Sequence, residues 1–98
     1  MSEPLTLVAR IRAKAGQGAR LREELRHLVA PTRAEEGCLR YDLHESTTEP
    51  GWFLLYETWK SEADLDAHFR TPYLQAFFSL APEFLDGPSE ITRWTKLW

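Results

Sequence analysis

WFLLYETWKSEADLDAHFRTPYLQAFF, residues 52–78, changes its hydrophobic period part-way along. Up to Trp59 the pattern repeats every two residues, with Trp52, Leu54 and Tyr56 in one phase and Phe53, Leu55, Glu57 and Trp59 in the other. That is a strand, and because both phases carry large apolar side chains, both of its faces need covering. From Ser61 the period becomes helical. Ser61 is placed to cap a helix, with Asp64 three residues on in a capping-box-like position. Leu65 and Phe69 then mark the apolar stripe, and Thr71–Pro72 ends one helix and starts another, since proline is tolerated at a first helical position. The restarted helix brings Tyr73, Phe77 and Leu80 onto related faces.

Upstream, LTLVARIRAK (5–14) alternates, with Leu5, Leu7, Ala9, Ile11 and Ala13 in one phase, and predicts a strand. After Gly16 and Gly18, ARLREELRHLVAPTRAEEG (19–37) repeats Leu21, Leu25, Leu28 and Val29 at helical spacing. Pro31 is expected to kink or locally break this helix, and Gly37 to stop it. CLRYDLHES (38–46) predicts a second strand, with Leu39, Tyr41 and Leu43 sharing a phase, joined through TTEPG to the strand at 52. The tail SEITRWTKLW (89–98) reads as a last strand with Trp94 and Trp98 in one phase. The order strand, helix, strand, strand, broken helix, strand predicts an α+β fold over residues 1–98 as one domain. Its simplest form is a ferredoxin-like split βαβ arrangement, a four-stranded antiparallel sheet with helices on one side. A second copy of the chain is the expected cover for the bare sheet face.

Composition narrows the function. Ninety-eight residues suit one core, and a net charge of −3 offers no basic field for nucleic acid. The start, MSEPLTLVAR, lacks the basic and long apolar segments of a signal peptide. No apolar run reaches membrane-spanning length. A single cysteine, Cys38, gives no intrachain disulfide, so a soluble cytoplasmic protein is expected. Four tryptophans, three tyrosines and five phenylalanines are many for so small a core, which points some rings toward a ligand or another subunit. GQG at 16–18 is too short for a phosphate-binding loop, no histidine pair has metal-ligand spacing, and no serine or cysteine sits in a nucleophile motif. Neither metal nor cofactor is expected.

His68 is the leading candidate for chemistry. On a helical wheel it flanks the stripe of Leu65 and Phe69, so its imidazole leans between helix and sheet, where a proton can be taken or given near neutral pH. Asp64, one turn earlier, is the expected partner that fixes its tautomer. Glu57 and Trp59 share the phase that lines the same space, and Tyr41, Phe69, Tyr73 and Phe77 are candidates to complete an aromatic-lined pocket. A satisfied core histidine, a cross-strand carboxylate and ordinary packed rings are the alternatives for the same residues. His27 and His44 fall on polar faces and are given no role.

GCLRYDL, ETW and SEADLDAHFRTPYLQAF together resemble the antibiotic biosynthesis monooxygenase domain family, which includes quinol and anthrone monooxygenases. The resemblance implies a homodimeric α/β barrel with a pocket between sheet and helices. It also implies oxidation of a hydroquinone, anthrone or related phenol by molecular oxygen without a cofactor. By the same resemblance His68 is proton acceptor or anion stabiliser and Trp59 an aromatic wall. A haem-degrading branch is similar in its Trp and His positions but uses a first-strand asparagine, and this chain, with Ala9 near that position, contains none. Isomerisation of a small carbonyl metabolite, or binding of an aromatic metabolite or haem without turnover, remains open. The expectation common to these readings is that the rings of Trp59 and His68 converge on an enclosed void.

Overall fold

The computed structural model describes residues 4–98. The chain runs β1 (Leu5–Arg12), α1 (Gly18–Arg33), β2 (Cys38–Glu45), β3 (Trp52–Trp59), α2 (Glu62–Phe69), α3 (Pro72–Phe84) and β4 (Glu90–Trp94). Its four strands form one sheet in the order β2-β3-β1-β4, every neighbouring pair antiparallel. This is the ferredoxin-like α+β arrangement predicted from the element order. No helix among the described residues is long and apolar enough to cross a membrane.

Alternation decides which side of the sheet is core. Leu7, Ala9 and Ile11 of β1 and Phe53, Leu55, Glu57 and Trp59 of β3 all face the helices and are buried. They meet Leu21, Leu25 and Leu28 of α1, Leu65 of α2, and Phe77 and Phe84 of α3. The other face carries Trp52, Leu54 and Tyr56, which are only half-buried. Arginines partly shield it: Arg10 lies 4.8 Å above the Trp52 ring and Arg40 5.6 Å above that of Tyr56. Trp94, in register with Thr6, adds an exposed indole to that face.

Several local expectations change in the folded chain. β1 ends at Arg12, with Ala13 forming only an isolated bridge to Leu85, and β4 ends at Trp94, leaving Trp98 outside the ladder and fully exposed. The register shifts between Cys38 and Arg40, so Leu39 drops out of phase with Tyr41 and is 52% exposed. On α3, Leu80 is exposed, and Leu74 and Phe84 take the inward positions beside Phe77. α1 runs through Pro31 and stops two residues later, because a proline in the last turn forfeits only one ladder bond.

Gly37 is not the helix stop. α1 is capped at Ala34, and the φ of Gly37 is not positive. The glycine serves close packing instead: a Cβ at position 37 would fall 2.3 Å from that of Asp64. Its carbonyl also accepts from the Lys60 amide at 2.9 Å, tying the α1–β2 turn to the end of β3. The approach of these two segments is what brings Glu35 to the helix that carries His68.

Candidate active site

β2, β3, α2, α3 and the turn after α1 send polar or aromatic groups into one region between α1, α2 and the sheet. Ser61 caps α2, its hydroxyl accepting from the Asp64 amide at 3.2 Å, and Thr71 caps α3 in the same way through the Leu74 amide. The break at Arg70–Thr71 lets α2 hold His68 inward while α3 starts afresh with Tyr73 half-buried.

His68 is 2% exposed, and its partner is Glu35, not Asp64. The Ser61 hydroxyl donates to the Asp64 carboxylate at 2.8 Å, so that carboxylate is spent on its own helix start. Glu35, in the turn after α1, places Oε2 2.8 Å from His68 Nδ1, and the Tyr73 hydroxyl donates a short hydrogen bond to the same oxygen. With the carboxylate accepting, Nδ1 carries the hydrogen and Nε2 keeps its lone pair. Burial lowers the His68 pKa from its ordinary value, outweighing the hydrogen bond and charge of Glu35, which raise it.

A second carboxylate, Glu57, lies near enough to feel the charge of the first. Glu57 is 4% exposed and lies in register between Leu7 and Tyr41. It accepts from the Trp59 indole Nε1 at 2.9 Å. Burial pushes its pKa up to about 7; the Trp59 bond pulls the other way and the charge of Glu35 adds to the rise. Burial, reinforced by the charge of Glu57, likewise raises the Tyr41 phenol well above its normal range. Tyr73 rises to about 12, through burial and then its bond to Glu35. Burial pushes the Cys38 thiol, at the margin, up to about 11.

The ring geometry corrects the expected void. Trp59 and His68 are in contact, centroids 4.5 Å apart and planes inclined at 36°, which leaves no room for a guest between them. Tyr41 meets His68 edge-on at 5.7 Å and Phe69 flanks it at 5.6 Å. The structure therefore gathers Tyr41, Glu57, Trp59, His68, Phe69 and Tyr73, but not Phe77, which packs against Phe78 and Phe84 in the core. The sequence reading missed Glu35. Nothing local joins Glu35 to His68, 33 positions away.

A family model described as antibiotic biosynthesis monooxygenase matches residues 4–80. The chain belongs to the antibiotic biosynthesis monooxygenase family. Its relatives include "Putative monooxygenase YcnE" of Bacillus subtilis, 35% identical over 91% of this chain and 94% of that one. "Probable quinol monooxygenase YgiN" of Escherichia coli is 30% identical over 74% of this chain and 80% of that protein. Synechocystis protein sll1783 is 34% identical over 91% of this chain, which spans 60% of its length. Among solved structures, PA3566 from Pseudomonas aeruginosa superposes with a TM-score of 0.95 at 40% identity, covering all of this chain and 98% of the other. The fold of this family member is thus shared across the described residues.

Proposed function

We propose that this member of the family is a monooxygenase that oxidises a hydroquinone, anthrone or related electron-rich phenol with molecular oxygen, acting as a homodimer and without a bound cofactor. The observation that carries the reading is the Glu35–His68 pair: a buried imidazole with Nδ1 held at 2.8 Å by a carboxylate and its other nitrogen available as a base. Relatives that bear monooxygenase names support the oxygen chemistry.

In this reading His68 removes a proton from the phenol or from an activated CH2. The resulting anion gives one electron to oxygen, the substrate radical and superoxide recombine to form a C–O bond, and loss of water from the peroxide leaves a carbonyl. One oxygen atom ends in the quinone and the other in water, with the substrate as reductant. The protein's part is to orient the ring, exclude water and stabilise the anion. The substrate binds beside the Trp59–His68 pair, whose contact opens to admit it. The second copy covers the sheet face of Leu54, Tyr56 and Trp94.

One observation favours another reading. Rings in contact at 4.5 Å are what a solid core shows, and a polar cluster satisfied internally needs no substrate. Oxygen uptake with a panel of quinols and anthrones separates the two. A loss of rate in His68→Ala with the fold intact supports the enzyme, whereas equal rates in wild type and variant remove His68 from the chemistry.

A further inference from the structure

We infer that Glu57 is a positioning residue that acts through Trp59: its carboxylate holds the indole against His68 and so aims the imidazole; the inference rests on the role proposed above for His68. Glu57 and Trp59 stand two residues apart on the helix-facing side of β3, about 7 Å along the strand. Trp59 Nε1 donates to Glu57 Oε1 at 2.9 Å, and this is the one side-chain hydrogen bond that Glu57 makes among the described residues. Both residues are buried, so water does not compete for the bond. An indole turned over about its Cβ–Cγ bond fills a similar slot with Nε1 on the opposite side. Glu57 selects one of the two. A carboxylate suits that task because it offers an acceptor oxygen whichever way it turns, whereas an amide turned over presents N–H groups to the indole.

What the indole fixes in turn is the plane of His68. The bond between Nδ1 and Glu35 holds one atom of the imidazole and leaves the ring free to tilt about that contact. The rings packed on it decide where it stops. Trp59 is the nearest, with 4.5 Å between centroids, against 5.6 Å for Phe69 and 5.7 Å for Tyr41, which meets the imidazole edge-on. A tilt of the ring moves Nε2 away from the proton it is to take, and misplacement of a reacting group by about 1 Å costs up to about a hundredfold in rate. The neighbouring polar groups are engaged elsewhere: the Tyr73 hydroxyl with Glu35 and the Pro31 carbonyl, the Arg33 guanidinium with the Tyr41 carbonyl and Asp42. The orientation of Trp59 thus depends on Glu57, and that of His68 on Trp59.

The test is oxygen uptake with 1,4-dihydroxynaphthalene by wild type, Glu57→Met, Glu57→Gln, Trp59→Phe and the double variant Glu57→Met with Trp59→Phe. Glu57→Met, which removes the acceptor, and Trp59→Phe, which removes the donor but keeps a ring, should each lower kcat at least about tenfold with KM within about twofold. Glu57→Gln, which keeps an acceptor oxygen, should recover most of the loss. The double variant should be no slower than Trp59→Phe alone, because Glu57 has then lost the group it acts through. Wild-type kcat in Glu57→Met or Trp59→Phe, equal losses in Glu57→Met and Glu57→Gln, or losses that add in the double variant overturn the inference. Proton NMR of the His68 ring, which needs no substrate, reads the contact directly, since the ring current of Trp59 displaces those resonances. Wild type and Glu57→Gln should share the displacement and Glu57→Met should lose it. If wild type consumes no oxygen, the oxygenase reading falls and the NMR comparison alone decides the positioning role; unmoved His68 resonances in Glu57→Met overturn that role whether or not oxygen is consumed.

Discussion

His68 Nδ1 and Glu35 Oε2 are 2.8 Å apart although their residues are separated by 33 positions, and one of them lies on a helix, the other in a turn. The pair exists because Gly37 lets the α1–β2 turn press against the start of α2. A short side chain at one position thereby sets the tautomer of a histidine on another element.

If that pair is the catalytic base and its orienting partner, the two residues fail differently. His68→Ala should lower the rate of oxygen uptake by about 10²–10⁴-fold. Glu35→Gln should cost less and move the pH profile. Glu35 raises the His68 pKa by hydrogen bond and charge, so its neutralisation drops that pKa further and shifts the base limb to lower pH. A profile unmoved in Glu35→Gln would show that the pair has no part in the rate-limiting proton transfer.

Glu57 gives the fold a pH dependence of definite sign. Its folded pKa, about 7, lies above the ordinary carboxylate value of 4.5, so the folded chain holds this proton more tightly than the unfolded chain. The stability it contributes is complete below about pH 4.5 and is lost as pH rises through about 7, a change of order 3 kcal/mol. Glu57→Gln keeps an acceptor for the Trp59 indole and has no charge to bury. Denaturant melts from pH 5 to 8 should therefore show wild-type stability falling relative to that of the variant as pH rises. His68 has the opposite sign: its lowered pKa removes stability as pH falls below about 6.5. The same pH dependence in Glu57→Gln and wild type would mean that Glu57 contributes none of it.

Gly37→Ala tests the close approach. Its backbone conformation suits alanine, so any loss comes from the overlap with Asp64. A destabilisation of about 1–3 kcal/mol is expected from forced overpacking. Asp64→Ala should not relieve it, because the nearest atom is the Asp64 Cβ, whereas Asp64→Gly should do so in part. A melting temperature for Gly37→Ala equal to that of wild type would show that the turn is free to move aside.

The proposed homodimer is tested at Leu54, half-buried on the open face of the central strand β3. Sedimentation should give a dimer for wild type and a monomer for Leu54→Arg, since a guanidinium in an apolar contact carries an uncompensated desolvation cost. Identical sedimentation of the two would place any second copy elsewhere.

Local chemistry settled most of the architecture. A period of two through Trp59, a period of 3.6 after Ser61, and the Thr71–Pro72 restart fix where β3, α2 and α3 lie, because each is set by neighbours within a few residues. The alternation put Glu57 and Trp59 on one face, and the helical period put His68 at the edge of the core. Local rules failed where a longer-range contact prevailed: the bulge that turned Leu39 outward, and Gly37, read as a helix stop and used as a contact.

Only the tertiary structure decided the partners. Asp64 is the nearer acidic residue to His68 in sequence, but its carboxylate is held by Ser61, and Glu35 arrives from another segment to take the imidazole. That choice depends on the relative placement of α1, α2 and the sheet, fixed by packing of the whole core. The sequence could supply a histidine, an indole and two glutamates to one region. Which acceptor meets which donor, and that the rings of Trp59 and His68 touch, follow from distances that no periodicity encodes.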